Sequence, residues 1–262
     1  MRRMVRKPEA HIVEVTLDIA AKPETVYRFL TDPVRFRQWM GEHSSLDEAT
    51  SAISVKYPNG DEAVGELIEA VAPTHVVYLW GYRGDKHGIA PGTTRVVIDL
   101  VATKDGTRLV LRHEGLPAED VRRNHEIGWQ YYVGQLGTHA AAEQVAPHIA
   151  AAMDDYVLAW NTGDPAERAS AVQRSCEDTV VYQDRMAYTR TAASLLRHIS
   201  GARAFAPDVK LIVVQPPIQC HQHVRYDWKI VGPQGQTYGS GVGVGRLSLE
   251  GRFAHVVSFW DG

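Results

Sequence analysis

The hydrophobic period runs through a complete strand-to-helix pattern and then starts again, so the chain reads as two α+β units. Residues 10 to 20, AHIVEVTLDIA, alternate as a strand does. KPETVYRFLTDPVRFRQWM then has helical spacing broken at Pro33, which predicts two short helices. From about residue 46 to 113 the pattern is one of strands and turns, with turn signals at PNGD, GDKHGIAPG and KDGT. Four or five antiparallel strands follow from it. PAEDVRRNHEIGWQYYVGQLGTHAAAEQ restores the helical period, with Val121, His125, Trp129 and Tyr132 near one stripe. A strand, two small helices, a meander and a long helix can bury one core by wrapping the sheet around the last helix.

The second pass has the opposite order, helices first and an antiparallel sheet afterwards. VAPHIAAAMDDYVLAWNTGD is a helix with a turn, more helical sequence follows, TVVYQD is a strand and TAASLLRHIS a helix. The closing strands are DVKLIVVQPPIQCHQ, HVRYDWKIVG, a glycine-rich strand and RFAHVVSFW. The Ala-rich stretch from Ala140 to Pro147 is too short for a free linker, so the two domains are expected to touch. The expected division is a flexible basic tail at 1–9 carrying Arg2, Arg3, Arg6 and Lys7, a first domain at 10–142 and a second at 148–262.

Composition narrows the function classes. A net charge of −3 gives nothing to draw the whole molecule to nucleic acid or an anionic membrane, and no apolar run approaches the ~18 residues needed to cross a bilayer. Cys176 and Cys220 have no motif spacing and are expected to be core fillers in a reducing cytoplasm. Neither a GxSxG element nor an aromatic-plus-basic stripe for RNA occurs. His221 and His223, at i and i+2, would share one face of a strand, but two ligands do not make a metal site, and no metal or cofactor is expected.

The stretch TYGSGVGVGRLSLEGRF places glycine at 239, 241, 243 and 245. A phosphate-cradling loop needs a strand before it, a helix after it and unevenly spaced glycines. These recur with period two, so in a strand all four lie on one face and leave it bare. A bare face suits either close approach of another backbone or room for a ligand.

The first half resembles the START-like SRPBCC superfamily, in the branch that includes the chaperone-ATPase-activator-like (AHSA-like) proteins, on VTLDIAAKPETVYRFLTDPVRFRQWMG, GELIEAVAPTHVVYLWGY, TRVVIDLVATKDGTRLVLRHEGLP and HEIGWQYYVGQL. The resemblance implies a helix-grip fold around an apolar cavity. The second half resembles the SnoaL-like and ketosteroid-isomerase-like families of nuclear transport factor 2-like fold, on DDYVLAWNTGD, EDTVVYQD, VRYDWKIVGPQG and GVGVGRLSLEGRFAHVVSFW. It implies a cone-shaped α+β barrel with a pocket at its open end and pairing through the sheet, so Val242 and Val244 on the convex side are expected to be covered by a second copy of the chain or by the first domain. By the same resemblance the isomerase tyrosine that donates to the substrate oxyanion falls on Tyr156, and the catalytic base on Asp184. The second oxyanion donor, a carboxylic acid, falls on Gly243, so the acid is absent and the glycine face is expected to be a pocket wall cleared for something bulky. Ketosteroid isomerase, with its Asp base and protonated Asp, is itself a standard illustration of this chemistry.

The residues themselves allow two readings at most of these positions. Asp184 follows Tyr182 by two and would share its strand face as a general base, or it begins a turn, where Asp is favoured. Tyr156 is an oxyanion donor or a buried Tyr bonded to a carbonyl. Trp160, Tyr182, Gly243, Trp228 and Trp260 are the expected substrate-binding residues of the second domain, with one or two of Tyr226, Trp228 and Trp260 lining the pocket. In the first domain Tyr78, Trp80 and Tyr82 form a period-two aromatic stripe, with Tyr78, Trp80 and Trp129 expected at the cavity and Arg112 and His113 the polar candidates at its mouth. Three functions stay open: a cofactor-independent cyclase, isomerase or dehydratase acting on a bulky apolar, polyketide- or steroid-like metabolite; a carrier for such hydrophobic small molecules; and an assembly protein with vestigial pockets.

Overall fold

The computed structural model describes residues 12–84 and 86–261, so the expected tail at 1–9 lies outside the described residues. The chain divides into two compact units between Ala140 and Ala141. Both are α+β, as the two passes of the hydrophobic period predict.

The first unit begins with strand β1 (Ile12–Ile19), helices α1 (Pro23–Thr31) and α2 (Pro33–Met40), and the three-residue strand β2 (Ser44–Leu46). Strands β3 (Ala52–Lys56), β4 (Glu62–Val71), β5 (His75–Tyr82), β6 (Thr94–Thr103) and β7 (Gly106–Glu114) complete the meander, and α3 (Glu119–Val145) closes the unit. The seven strands form one antiparallel sheet in the order β1-β7-β6-β5-β4-β3-β2. Short β2 escapes a reading by period because three residues show too little alternation. Asp32 ends one helix and starts the next: its side chain accepts from the backbone N–H groups of Val34 and Arg35 at 2.9 Å, while Pro33 occupies the first turn of α2.

Two aromatic side chains take up carbonyls at the end of α1, where the helix itself offers no partner. The Trp39 indole donates to the Phe29 carbonyl (2.8 Å) and the Tyr78 hydroxyl to the Leu30 carbonyl (2.6 Å). Trp129, Val133, Leu136 and Ala140 of α3 belong to the same buried core as the sheet. Gly137 permits that packing, since a β-carbon there would lie 2.9 Å from Leu17.

The second unit contains α4 (Ile149–Asn161), α5 (Pro165–Ser175), β8 (Cys176–Gln183), β9 (Tyr188–Thr189), α6 (Ala192–Phe205), β10 (Lys210–Val213), β11 (Ile218–Cys220), β12 (His223–Val231), β13 (Thr237–Leu247) and β14 (Phe253–Trp260). Side chains cap two of its helices: Asp164 accepts from Ala166 N–H, and Thr191 and Ser194 form a reciprocal capping box on α6. The sheet runs β10-β12-β13-β14-β8-β9, with β11 on β12 and a parallel β14–β8 pair. The single strand expected over 208–222 divides at Pro216 and Pro217, which supply no N–H to a ladder. Cys176 is buried, whereas Cys220, expected in a core, is exposed at the end of β11.

The glycine face is filled, which corrects the expectation of a cleared pocket wall. On β13, Gly241 stands opposite Trp228 and Gly243 opposite Tyr226 of β12. A β-carbon on Gly243 would lie 2.2 Å from the Tyr226 ring, on Gly245 2.3 Å from Phe253 and on Gly239 2.6 Å from Trp260, while on Gly241 it would meet both the Phe259 carbonyl oxygen at 1.9 Å and the Trp228 ring at 2.6 Å. Each glycine is therefore covered by an aromatic ring, and the bare face is what lets the rings lie down. On the opposite face Val242 and Val244 are half-buried, and Phe259, opposite Val242, is 60 % exposed.

Candidate functional site

Three of those rings, Tyr226, Trp228 and Trp260, form part of the wall of a cavity of about 1080 Å³ in the second unit. Tyr156 and Trp160 reach it from α4, Tyr182 from β8, Tyr226 and Trp228 from β12, and Trp260 from β14. All three of Tyr226, Trp228 and Trp260 line it. Gly243 does not, because the Tyr226 ring stands between it and the cavity.

Asp184 begins the turn that its residue type favours, and it also shares the facing of Tyr182. It follows β8, one carboxylate oxygen accepting from the N–H groups of Met186 and Ala187 at 2.7 Å each. The other oxygen accepts the Tyr182 hydroxyl at 2.8 Å, and the residue lines the same cavity as Tyr156. Turn and tyrosine together fix the orientation of a half-buried carboxylate. Tyr156 is buried, and burial first, then the neighbouring Tyr226 and Tyr182, holds its hydroxyl well above the ordinary phenol range. Burial and the adjacent Asp184 do the same for Tyr182. Both phenols stay protonated and can donate.

Sequence reasoning missed the part that α6 plays in bordering the open side of the cavity. His198, Gly201, Ala202 and Phe205 recur at helical spacing along it, and the His198 ring lies 5.8 Å from Trp160 and 5.7 Å from Tyr182. The signal was a stripe at i, i+3, i+4 and i+7, but its mixture of Gly, Ala and His is too weakly apolar to stand out.

The first unit holds a separate cavity of about 480 Å³, with Trp80 and Trp129 on its wall together with Tyr57, Tyr82, His87 and His125. Tyr78 is not on that wall. Its bond to α1 and its edge contact with Phe36 at 6.4 Å place it in the core. Arg112 and His113 are not at the mouth either. Arg112 pairs with Asp99, which also takes His75 at 2.6 Å. His113 is fully buried: its Nδ1 accepts the Trp129 indole N–H (3.0 Å), so Nε2 carries the proton toward Thr94 Oγ1 (2.8 Å), and that hydroxyl donates to the Trp80 carbonyl (2.9 Å).

Burial pushes the His113 imidazole from 6.5 down to about 3, with His125 nearby adding to the shift. Between those values the unfolded chain binds a proton that the folded unit refuses, so stability is present above pH 6.5 and is lost as the pH falls. The loss from this group should be about 1.4 kcal/mol per pH unit. Urea unfolding from pH 7 to 4 should therefore have a flatter pH slope in His113→Phe than in the wild type. Equal slopes would contradict this assignment.

His221 and His223 do not share a strand face: His221, with φ +52°, sits in the turn before β12, and His223 begins the strand. Among the described residues no group of three or more His, Cys, Asp or Glu is placed to hold a metal ion, and no helix is long and apolar enough to cross a membrane.

The chain was compared with protein families and with solved structures. Residues 20–141 match the family model of the Activator of Hsp90 ATPase homolog 1-like proteins. Among solved structures, a SnoaL-like family protein from Agrobacterium tumefaciens is 25 % identical over 44 % of this chain and 99 % of its own, with a TM-score of 0.42. An AHSA1-like protein from Rhizobium etli is 29 % identical over 49 % of this chain and 81 % of its own (TM-score 0.37). The Aha1 dimer from Colwellia psychrerythraea is 17 % identical over 48 % and 92 % (TM-score 0.40). No curated protein matches the chain.

Proposed function

We propose that the second unit binds a bulky apolar molecule carrying a carbonyl group and moves a proton on it without a cofactor, as a cyclase, isomerase or dehydratase does. The observation that carries this reading is that an oriented carboxylate, Asp184, and a protonated phenol, Tyr156, line one large aromatic-walled cavity. Asp184 would take a proton from carbon beside the carbonyl, and the Tyr156 hydroxyl would donate to the oxygen as it gains charge. The phenol suits that role because burial keeps it protonated, and a donor already in place needs little reorganisation during reaction.

A carrier function is the second reading. The observation favouring it is that Gly243, where related isomerases are expected to bear an acid, has no side chain and is covered by Tyr226. Calorimetric titration with testosterone, a probe of suitable bulk, is expected to give one-to-one binding. Ala202→Trp, which places a large ring at the open side of the cavity, should weaken it at least ~10-fold through steric exclusion. Absence of binding to the wild type, or full binding to Ala202→Trp, would count against both readings.

A further inference from the structure

The first-unit cavity carries an arrangement that a passive apolar pocket does not need. Asp61, only 8 % exposed, comes from the turn before β4, and His87 from the connection after β5. The Asp61 carboxylate accepts His87 Nε2 at 3.1 Å and Asn59 Nδ2 at 3.0 Å, and it also takes the Lys86 ammonium. A carboxylate so paired can only accept, so Nε2 of His87 carries hydrogen, and in the neutral ring it is Nδ1 that holds the lone pair. His87 holds this place at φ +63°, a left-handed conformation that residues with a β-carbon seldom adopt. Strain of this kind persists where surrounding contacts over-determine it, and it concentrates at functional sites.

On the same cavity wall the Tyr82 hydroxyl lies 3.2 Å from His125 Nε2. His125 Nδ1 donates to the Val121 carbonyl at 2.8 Å, which fixes the tautomer and leaves Nε2 to accept from Tyr82. Burial holds His125 below the usual histidine range, in keeping with a neutral ring, and burial also raises Tyr82. The rings of His87 and Tyr82 meet edge-on at 4.8 Å, so a base and a hydroxyl border one aromatic-walled space.

We propose that this cavity is a second proton-transfer site, in which His87 is the base and Tyr82 the hydrogen-bond donor for a small aromatic ketone. His87 Nδ1 takes a proton from the carbon beside the carbonyl. The C–H electron pair moves into the enolate, whose oxygen receives the Tyr82 hydroxyl as it turns from His125. Return of a proton from the imidazolium to carbon restores the ketone or its isomer, so no oxidant, reductant or co-reactant is consumed. Asp61 and His125 are positioning residues. The His87 side chain is 42 % exposed, so its proton can exchange with solvent between the two steps.

The test is deuterium uptake by 2-tetralone in heavy water, followed by mass spectrometry, with the full chain carrying Asp184→Asn so that the second unit does not contribute. That chain should accelerate uptake over buffer. Adding His87→Asn, which tolerates the left-handed backbone but offers no basic nitrogen, should lower the protein-dependent rate by about 10²-fold. Tyr82→Phe, which keeps the ring, should lower it by about 10-fold. No acceleration over buffer, or full rates in both variants, would overturn the proposal.

Discussion

Gly243→Asp is expected to destabilise the protein by more than about 3 kcal/mol, although it supplies the acid that the resemblance of the second half to isomerases would put there. The new β-carbon would lie 2.2 Å from the Tyr226 ring, inside any tolerable contact. Tyr226 is buried beside Tyr156 at 6.4 Å, so the ring has little room to yield. Overpacking of this kind costs about 1–3 kcal/mol by itself. The carboxylate adds a charge to an aromatic interior, where an unpaired ion costs several kcal/mol more or is forced to take up a proton. Gly243→Ala separates the two effects, because it brings the steric part alone and should lose about 1–3 kcal/mol. Urea unfolding checks both, and a Gly243→Asp midpoint near the wild-type value would mean that the space over the strand is open.

That prediction turns on what the sequence could and could not reveal about β13. Period-two glycine established a strand and put all four glycines on one face, because alternation is a local property of the backbone. What fills the space over them is decided by neighbouring strands. Tyr226 and Trp228 arrive through the β12 register, and Phe253 and Trp260 from β14. Capping is also local, although the helices are read from their period alone: Asp32, Asp164 and Thr191 each precede the helix they cap. Tyr78 was legible as part of an aromatic stripe, yet its destination depends on a carbonyl 48 residues away. Asp61 and His87 lie in two segments that read only as turns, 26 residues apart, and nothing in either segment announces the other. Asp184 is a middle case, since the turn preference and the facing with Tyr182 were both visible and the structure combines them.

Asp184→Asn is the variant that reaches the chemistry with the least disturbance of the fold. Asparagine can still accept the N–H groups of Met186 and Ala187 through its side-chain oxygen, and it is as well suited as aspartate to that turn. The Tyr182 hydroxyl can turn to accept from the new amide, so no buried donor is stranded. What is lost is the carboxylate as a proton acceptor. A positioned base contributes about 10²-fold or more to a proton transfer, so the rate should fall by at least that factor while the thermal midpoint stays close to the parent value. The decisive measurement is deuterium uptake next to the carbonyl of testosterone in heavy water, read by mass spectrometry in chains carrying His87→Asn, so that the first-unit cavity contributes nothing. The account predicts protein-dependent uptake that Asp184→Asn reduces by about 10²-fold or more with testosterone binding retained. Equal uptake with and without the Asp184 carboxylate, or binding with no uptake in either chain, would contradict it.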